Sequence, residues 1–336
     1  MSKLSEKQEE RLSNIDYSLN PKIPTELYLE INNTCNHECF FCSNSKMTRD
    51  KNFLDKELAL KIMNEAFELG VTDISFFATG ESFVNPDLSF YIQEAKKIGF
   101  KYIFLTSNGA LATPKKAKKV IDAGLDSIKF SINAGTKETY KMTHGKDDFD
   151  KVIENVKWFY KYKTENNLDL KLFISMVPTA QNRDEYDNLI NLIGHCLDDN
   201  IHRRECSNQG GNMLENNEIT EINPDSILGT LRPTQYQEKK ICPDPFNRIV
   251  VSSEGYLTAC VVDYQNSLII EDLAKSTLQD AWNSPTYVEL RKKHLDGKLE
   301  GTICYNCLYN KTTEFKPLTS KYFKPFKDMK NMEFYK

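Results

Sequence analysis

The chain has 336 residues, with 44 Lys and Arg against 48 Asp and Glu and a formal charge of −4 at neutral pH. That balance offers no basic surface for nucleic acid or anionic lipid, and no apolar run reaches the length of a membrane span. Nine cysteines, several in close pairs, read as metal ligands in a reducing compartment rather than as disulfides, so a cytoplasmic setting is expected.

Residues 1–24 form a polar leader without a signal-peptide pattern, ending at Pro21-Lys22-Ile23-Pro24, where the prolines favour extended backbone. Glu26 to Ile31 alternates apolar and polar residues as a strand does. It delivers Cys35-Asn36-His37-Glu38-Cys39-Phe40-Phe41-Cys42. Three thiolates on one tight loop can hold three irons of a [4Fe–4S] cluster and leave the fourth iron open. A zinc knuckle with His37 as fourth ligand is the alternative, although one compact loop wraps a tetrahedron poorly. Leu54 to Leu69 has helical periodicity and stops at Gly70. Strands are predicted at Asp73–Ala78, Tyr102–Ser107, Ser127–Asn133, Leu170–Val177 and Asn200–Cys206. Helices between them are predicted at Asn85–Ile98, Pro114–Ala123, Asp150–Lys163 and Arg183–Leu197. Six strands alternating with helices imply parallel βαβ units, hence an α/β fold built as a partial (β/α)6 barrel over residues 25–207. Chemistry then belongs at the C-terminal strand ends.

Cys-x3-Cys-x2-Cys with an aromatic, Phe41, before the last cysteine resembles the radical S-adenosylmethionine (SAM) superfamily. The resemblance extends motif by motif from about residue 25 to about residue 310. It implies that Cys35, Cys39 and Cys42 hold a cluster whose open iron chelates the amino and carboxylate groups of SAM, and that reduction cleaves SAM to a 5′-deoxyadenosyl radical. It also implies SAM contacts. Thr79-Gly80-Glu81 stands where the family usually has Gly-Gly-Glu, with Thr79 in place of the first Gly, and would receive the SAM amine. Ser107-Asn108 stands after the third strand, Ser131 and Asn133 after the fourth, and Met176 (with Val177) after the fifth, where it could pack on adenine or simply fill the core. Taken singly, each of these polar residues reads equally well as an ordinary turn or strand end.

The sixth strand runs into Arg203-Arg204-Glu205-Cys206. Arg203 and Glu205 are candidate catalytic groups at the barrel mouth, as is Asp263 further on, and Cys206 is a candidate hydrogen-atom donor. The two arginines alternate, so only one can face inward; the other reading is a solvated charge pair. Cys196, on the preceding helix, reads as core. Residues 208–241 read as a linker or active-site loop. Residues 242–310 carry Cys242, Cys260, Cys304 and Cys307 around a hairpin, Arg248–Val251 and Tyr256–Val261, with helices at Thr277–Trp282 and Tyr287–Leu295. Four such cysteines suit a structural zinc site equally well. Cys242, Gly255 and Cys260 are similar in spacing to the opening of the SPASM/twitch extension of radical SAM enzymes, which implies one auxiliary [4Fe–4S] cluster bound by all four cysteines in a small α+β domain. Residues 311–336 form a tail rich in Lys and aromatics.

By that resemblance the expected function is a radical SAM oxidoreductase. It takes an electron from flavodoxin or ferredoxin, abstracts hydrogen from a substrate C–H and passes an electron to the auxiliary cluster. The expected substrate is a secondary alcohol of a sugar, cyclitol or nucleotide sugar. The alternatives are a redox-neutral epimerase using Cys206, a peptide-modifying enzyme (disfavoured because only 34 residues precede Cys35) and a zinc-stabilised binding protein.

Overall fold

A computed structural model describes residues 14–203, 208–213, 216 and 241–324. Its strands are β1 (Glu26–Leu29), β2 (Asp73–Ser75), β3 (Tyr102–Ser107), β4 (Ser127–Ser131), β5 (Lys171–Met176), β6 (His202–Arg203), β7 (Ile249–Val251), β8 (Tyr256–Thr258) and β9 (Ile269–Asp272). The first six pair in parallel and in sequence order. The helices that return the chain between them are α1 (Lys56–Glu68), α2 (Leu88–Ile98), α3 (Pro114–Asp122), α4 (Lys137–His144), α5 (Phe149–Glu165) and α6 (Tyr186–Ile193). Local chemistry sets their ends. The Asp55 carboxylate accepts from Leu58 N and caps α1, and Pro114 opens α3, where its missing N–H costs nothing.

Alternation along each strand sends one set of side chains to the helices. Leu27, Leu29, Ile74, Ile103, Leu105, Ile128, Phe130, Leu172 and Ile174 are all buried in one core. Each such side chain contributes roughly 1.5–3 kcal/mol relative to exposure. The other set carries rings and polar groups. Tyr28 meets Phe77 and Phe104 edge-on, with centroids 5.5 and 5.7 Å apart, and Lys129 sits in register between Thr106 and Phe173.

The C-terminal region is not a free-standing unit. β7 pairs in parallel with β1, Leu27 facing Ile249 and Leu29 facing Val251, and β8 and β9 follow antiparallel. Among the described residues the result is one nine-stranded sheet of order β6-β5-β4-β3-β2-β1-β7-β8-β9. Behind it lie α7 (Asp244–Asn247), α8 (Leu278–Trp282), α9 (Pro285–Asp296) and α10 (Ile303–Tyr309). A buried ion pair clamps the seam. Glu30 takes Arg49 at 2.7 Å, the Ser253 N–H at 2.8 Å and the Thr79 N–H at 3.1 Å, and Arg49 also donates to Asn266. Burial works against the Glu30 carboxylate, yet Arg49, Thr79 and Ser253 hold its pKa below the ordinary value.

The tail wraps the hairpin as far as it is described. Phe315 is buried, Leu318 N donates to Ser267 O, and the Tyr322 ring lies 4.3 Å from that of Tyr256. No described helix is long and apolar enough to cross a membrane.

Candidate active site

Strand β1 ends beneath the cysteine loop, and the loop is stapled to the end of α4: Glu38 N donates to His144 O and Phe40 N to Thr143 O. Each sulfur has a neighbour. Cys35 Sγ accepts from His37 N at 3.5 Å. Cys39 Sγ lies 3.5 Å from His144 Nδ1, and Cys42 Sγ lies 3.5 Å from the Tyr264 hydroxyl. Burial, Glu81 and Cys42 push the Cys35 thiol up to about 12. Burial, with Cys42 and Cys35, pushes Cys39 up as well. The half-buried thiols of Cys35 and Cys39 thus resist ionisation, a cost that a cation beside them reverses.

Glu81 organises the next shelf. Its carboxylate accepts from Phe83 N at 3.0 Å, Ser107 Oγ at 2.8 Å and Asn108 N at 2.8 Å, while Asn108 Nδ2 donates to Asn36 beside Cys35. Burial raises the Glu81 pKa against those bonds. Gly80 is required by contact, because a Cβ there would stand 2.4 Å from Asn32 O and 2.9 Å from Thr34 O. The Thr79 hydroxyl donates to Glu30, and Asn44 holds the Thr79 carbonyl. Asn133 accepts from Val177 N at 2.8 Å through Oδ1, and its own N–H donates to His144 Nε2 at 3.1 Å. Ser131 pairs with Ser175.

The second cysteine set converges on a single cavity. Cys242, Cys260, Cys304 and Cys307 line it together with Ala259, Leu268 and Ile303. Cys304 and Cys307 share a face of α10, whose N-terminus Thr302 caps by accepting from Tyr305 N. Burial, Asp244 and the cysteines Cys242 and Cys307 push the Cys260 thiol up. Burial, Cys242 and Cys307 do the same to Cys304.

The family model of the radical SAM superfamily matches residues 29–193, and that of an iron–sulfur cluster-binding domain, SPASM, matches residues 242–308. This chain carries a radical SAM domain followed by a SPASM domain. A probable GTP 3′,8-cyclase of Saccharolobus islandicus is 28% identical over 277 residues, covering 74% of this chain and 87% of that one. Among solved structures, BtrN in complex with AdoMet and 2-DOIA aligns over 91% of this chain and 99% of its own, with TM-score 0.57 and 17% identity. SuiB of Streptococcus suis bound to precursor peptide SuiA aligns over 89% and 76%, with TM-score 0.65 and 16% identity. At such identities the shared feature is the fold.

A radical SAM domain with a SPASM domain implies SAM, a SAM-binding [4Fe–4S] cluster and auxiliary iron–sulfur binding. The donor sets fit: three clustered thiols in the first site and four around one cavity in the second are the ligands such clusters take. The zinc knuckle would need His37 beside all three loop cysteines. His37 does not complete a set with all three loop cysteines; the nitrogen and sulfur atoms within 4.8 Å of one another belong to His37, Cys39 and His144, and His37 Nε2 is held by Asp148 at 3.3 Å.

Of the predicted SAM residues, the fold gathers Gly80, Glu81, Ser107, Asn108 and Asn133 around the cysteine loop. Phe41 is buried and its carbonyl accepts from Asn216. Met176 lies in the core with Leu172 and Ile174, one of the two readings open for it. One expectation is corrected. Asp263 is no mouth base: its buried carboxylate accepts from the Thr258 hydroxyl and from Ser267 N and Leu268 N, bracing the loop between β8 and β9. Arg203 is exposed, with its guanidinium 4.2 Å over the Tyr186 ring. Glu205 and Cys206 lie outside the described residues. Two groups that the sequence reading missed, His144 and Tyr264, touch cluster-loop sulfurs from 105 and 222 residues away. Neither stands in a motif; the only local signal was Tyr264 following Cys260 by four residues.

Proposed function

We propose that this radical SAM enzyme oxidises a secondary alcohol of a sugar, cyclitol or nucleotide sugar by two electrons. One observation carries the reading: four cysteines surround the second cavity, so a four-iron cluster there would have a protein sulfur for every iron and none left for substrate. When bound, the two clusters supply the electron that cleaves SAM, drawn from flavodoxin or ferredoxin, and an acceptor for the electron that a substrate radical gives up.

This chain's own residues do the rest. Cys35, Cys39 and Cys42 hold the first cluster. Glu81 and the loop it braces receive the SAM ammonium, with Ser131 and Asn133 beside the remaining polar groups. The substrate lies across the sheet face that carries Tyr28, Phe77, Phe104 and Lys129, which offers rings for a hydrocarbon face and a cation for an anionic group. SAM, when bound and cleaved there, would supply the radical that takes a hydrogen atom from the substrate carbon. The hydroxyl then loses its proton to a base at the mouth, for which Glu205 is the candidate, with the Arg203 guanidinium able only to donate, and the carbon gives up one further electron.

The relatives named as cyclases favour a second reading, ring closure on a purine nucleotide. Anaerobic turnover in heavy water against sugars, cyclitols, nucleotide sugars and GTP, read by mass spectrometry, separates the possibilities. Loss of two hydrogens with one deoxyadenosine per product supports the proposal. Gain of one deuterium on carbon without other change replaces it with epimerisation through Cys206. A ring-closed isomer of GTP replaces it with cyclisation.

A further inference from the structure

His144 closes α4 and is 1% exposed. Two donors face its Nε2, the Asn133 backbone N–H at 3.1 Å and the Asn133 side-chain nitrogen at 3.3 Å. A nitrogen that accepts from a backbone N–H carries no proton. The single proton of a neutral imidazole therefore sits on Nδ1, and Nδ1 is the atom that lies 3.5 Å from Cys39 Sγ. The ring cannot swing away. Tyr140 stacks on it with centroids 4.0 Å apart and planes 11° apart, and the His144 carbonyl is pinned by Glu38 N of the cysteine loop itself.

We infer that His144 is a fixed hydrogen-bond donor to Cys39 Sγ that raises the reduction potential of the cluster this cysteine holds. The inference rests on the reading of Cys39 as a cluster ligand. An N–H aimed at a ligating sulfur withdraws charge from it and stabilises the reduced, more negative state, and hydrogen bonds to the sulfurs are among the features that set cluster potentials. His144 is thus a positioning residue acting through Cys39. Its fixed tautomer keeps a donor, never a bare lone pair, toward the sulfur.

The test is a redox titration of the reconstituted protein, following the reduced-cluster EPR signal that shifts on adding SAM. His144→Phe keeps a ring stacked on Tyr140 and removes the N–H toward Cys39, together with the Nε2 acceptor that meets Asn133. It is expected to lower the reduced-to-oxidised ratio of that signal roughly tenfold at a fixed potential, equivalent to 59 mV for one electron. A cluster that assembles with an unchanged potential overturns the inference and leaves the ligand reading standing. If His144→Phe assembles no cluster, pulsed EPR on protein labelled with 15N in the histidine rings decides. An imidazole coupling present in wild type and retained in His37→Phe supports the inference; its absence in wild type overturns it. A wild-type protein with no SAM-responsive cluster overturns the ligand reading and the inference with it.

Discussion

Glu81 is the side chain on which the shelf beside the cysteine loop turns. Its two oxygens take Phe83 N, Ser107 Oγ and Asn108 N, so it fixes two loops before any ligand arrives. Glu81→Gln puts an amide NH2 against donors and removes the charge a SAM ammonium would meet. The expected outcome is SAM affinity weaker by at least tenfold in equilibrium dialysis, the equivalent of losing one hydrogen bond to a charged group at roughly 1.5–3 kcal/mol. The same scale holds the residues that pattern could not reveal. Cysteine spacing and the Thr-Gly-Glu and Ser-Asn turns were legible because each is a run of neighbouring residues, even though Thr79, Ser107 and Asn108 find their partners 26 to 72 residues away. His144 was not. Helix α4 buries Thr139, Tyr140, Thr143 and His144, a largely polar face, so no apolar periodicity announced either the helix or the histidine at its end.

Elements were read best where burial is one-sided and local. The alternation over Tyr102–Ser107 matches β3 residue for residue, and Gly99, with φ +118°, ends α2 where expected. β9 is only Ile269–Asp272 and α10 only Ile303–Tyr309, each too short for a period to stand out. The crossing of β1, β2 and the cysteine loop is tight. Gly80→Ala drives a methyl into two backbone carbonyls, and the expected result is a folded protein that takes up less iron on reconstitution, read by iron analysis beside circular dichroism. At the seam, Arg49→Met leaves Glu30 buried without its cation. Breaking such a pair costs roughly 3–5 kcal/mol, visible as a lower urea midpoint at pH 7. The sign with pH follows from the depressed Glu30 pKa: its contribution is complete above the ordinary value of 4.5 and is lost as the pH falls through the lower folded value. Glu30→Gln is expected to flatten that part of the stability profile.

Across the whole molecule the two cluster sites are joined by more than sequence. The Tyr264 hydroxyl sits 3.5 Å from Cys42 Sγ and donates to Gln209 at 2.9 Å, and Asn208 next to it donates to the Cys307 carbonyl. Cys304→Ala with Cys307→Ala is expected to leave about half the iron while SAM cleavage continues and product oxidation stops, measured as deoxyadenosine formed without matching ketone. Loss of both activities together would point instead to an auxiliary site that is purely structural.

The continuous sheet also sets a timetable. During synthesis β1 leaves the ribosome roughly 220 residues before β7, the neighbour that completes its other edge. At about 5–20 residues per second that interval is on the order of ten to forty seconds. Through it one edge of β1 presents unpaired N–H and C=O groups, the template on which strands of other chains add. The cysteine loop hangs from that unfinished strand, and Glu30 lacks Ser253 until the hairpin emerges. Iron delivered in that interval would meet three thiols on a loop whose footing is incomplete. A nascent chain stalled before residue 249 is therefore expected to be the species most exposed to aggregation.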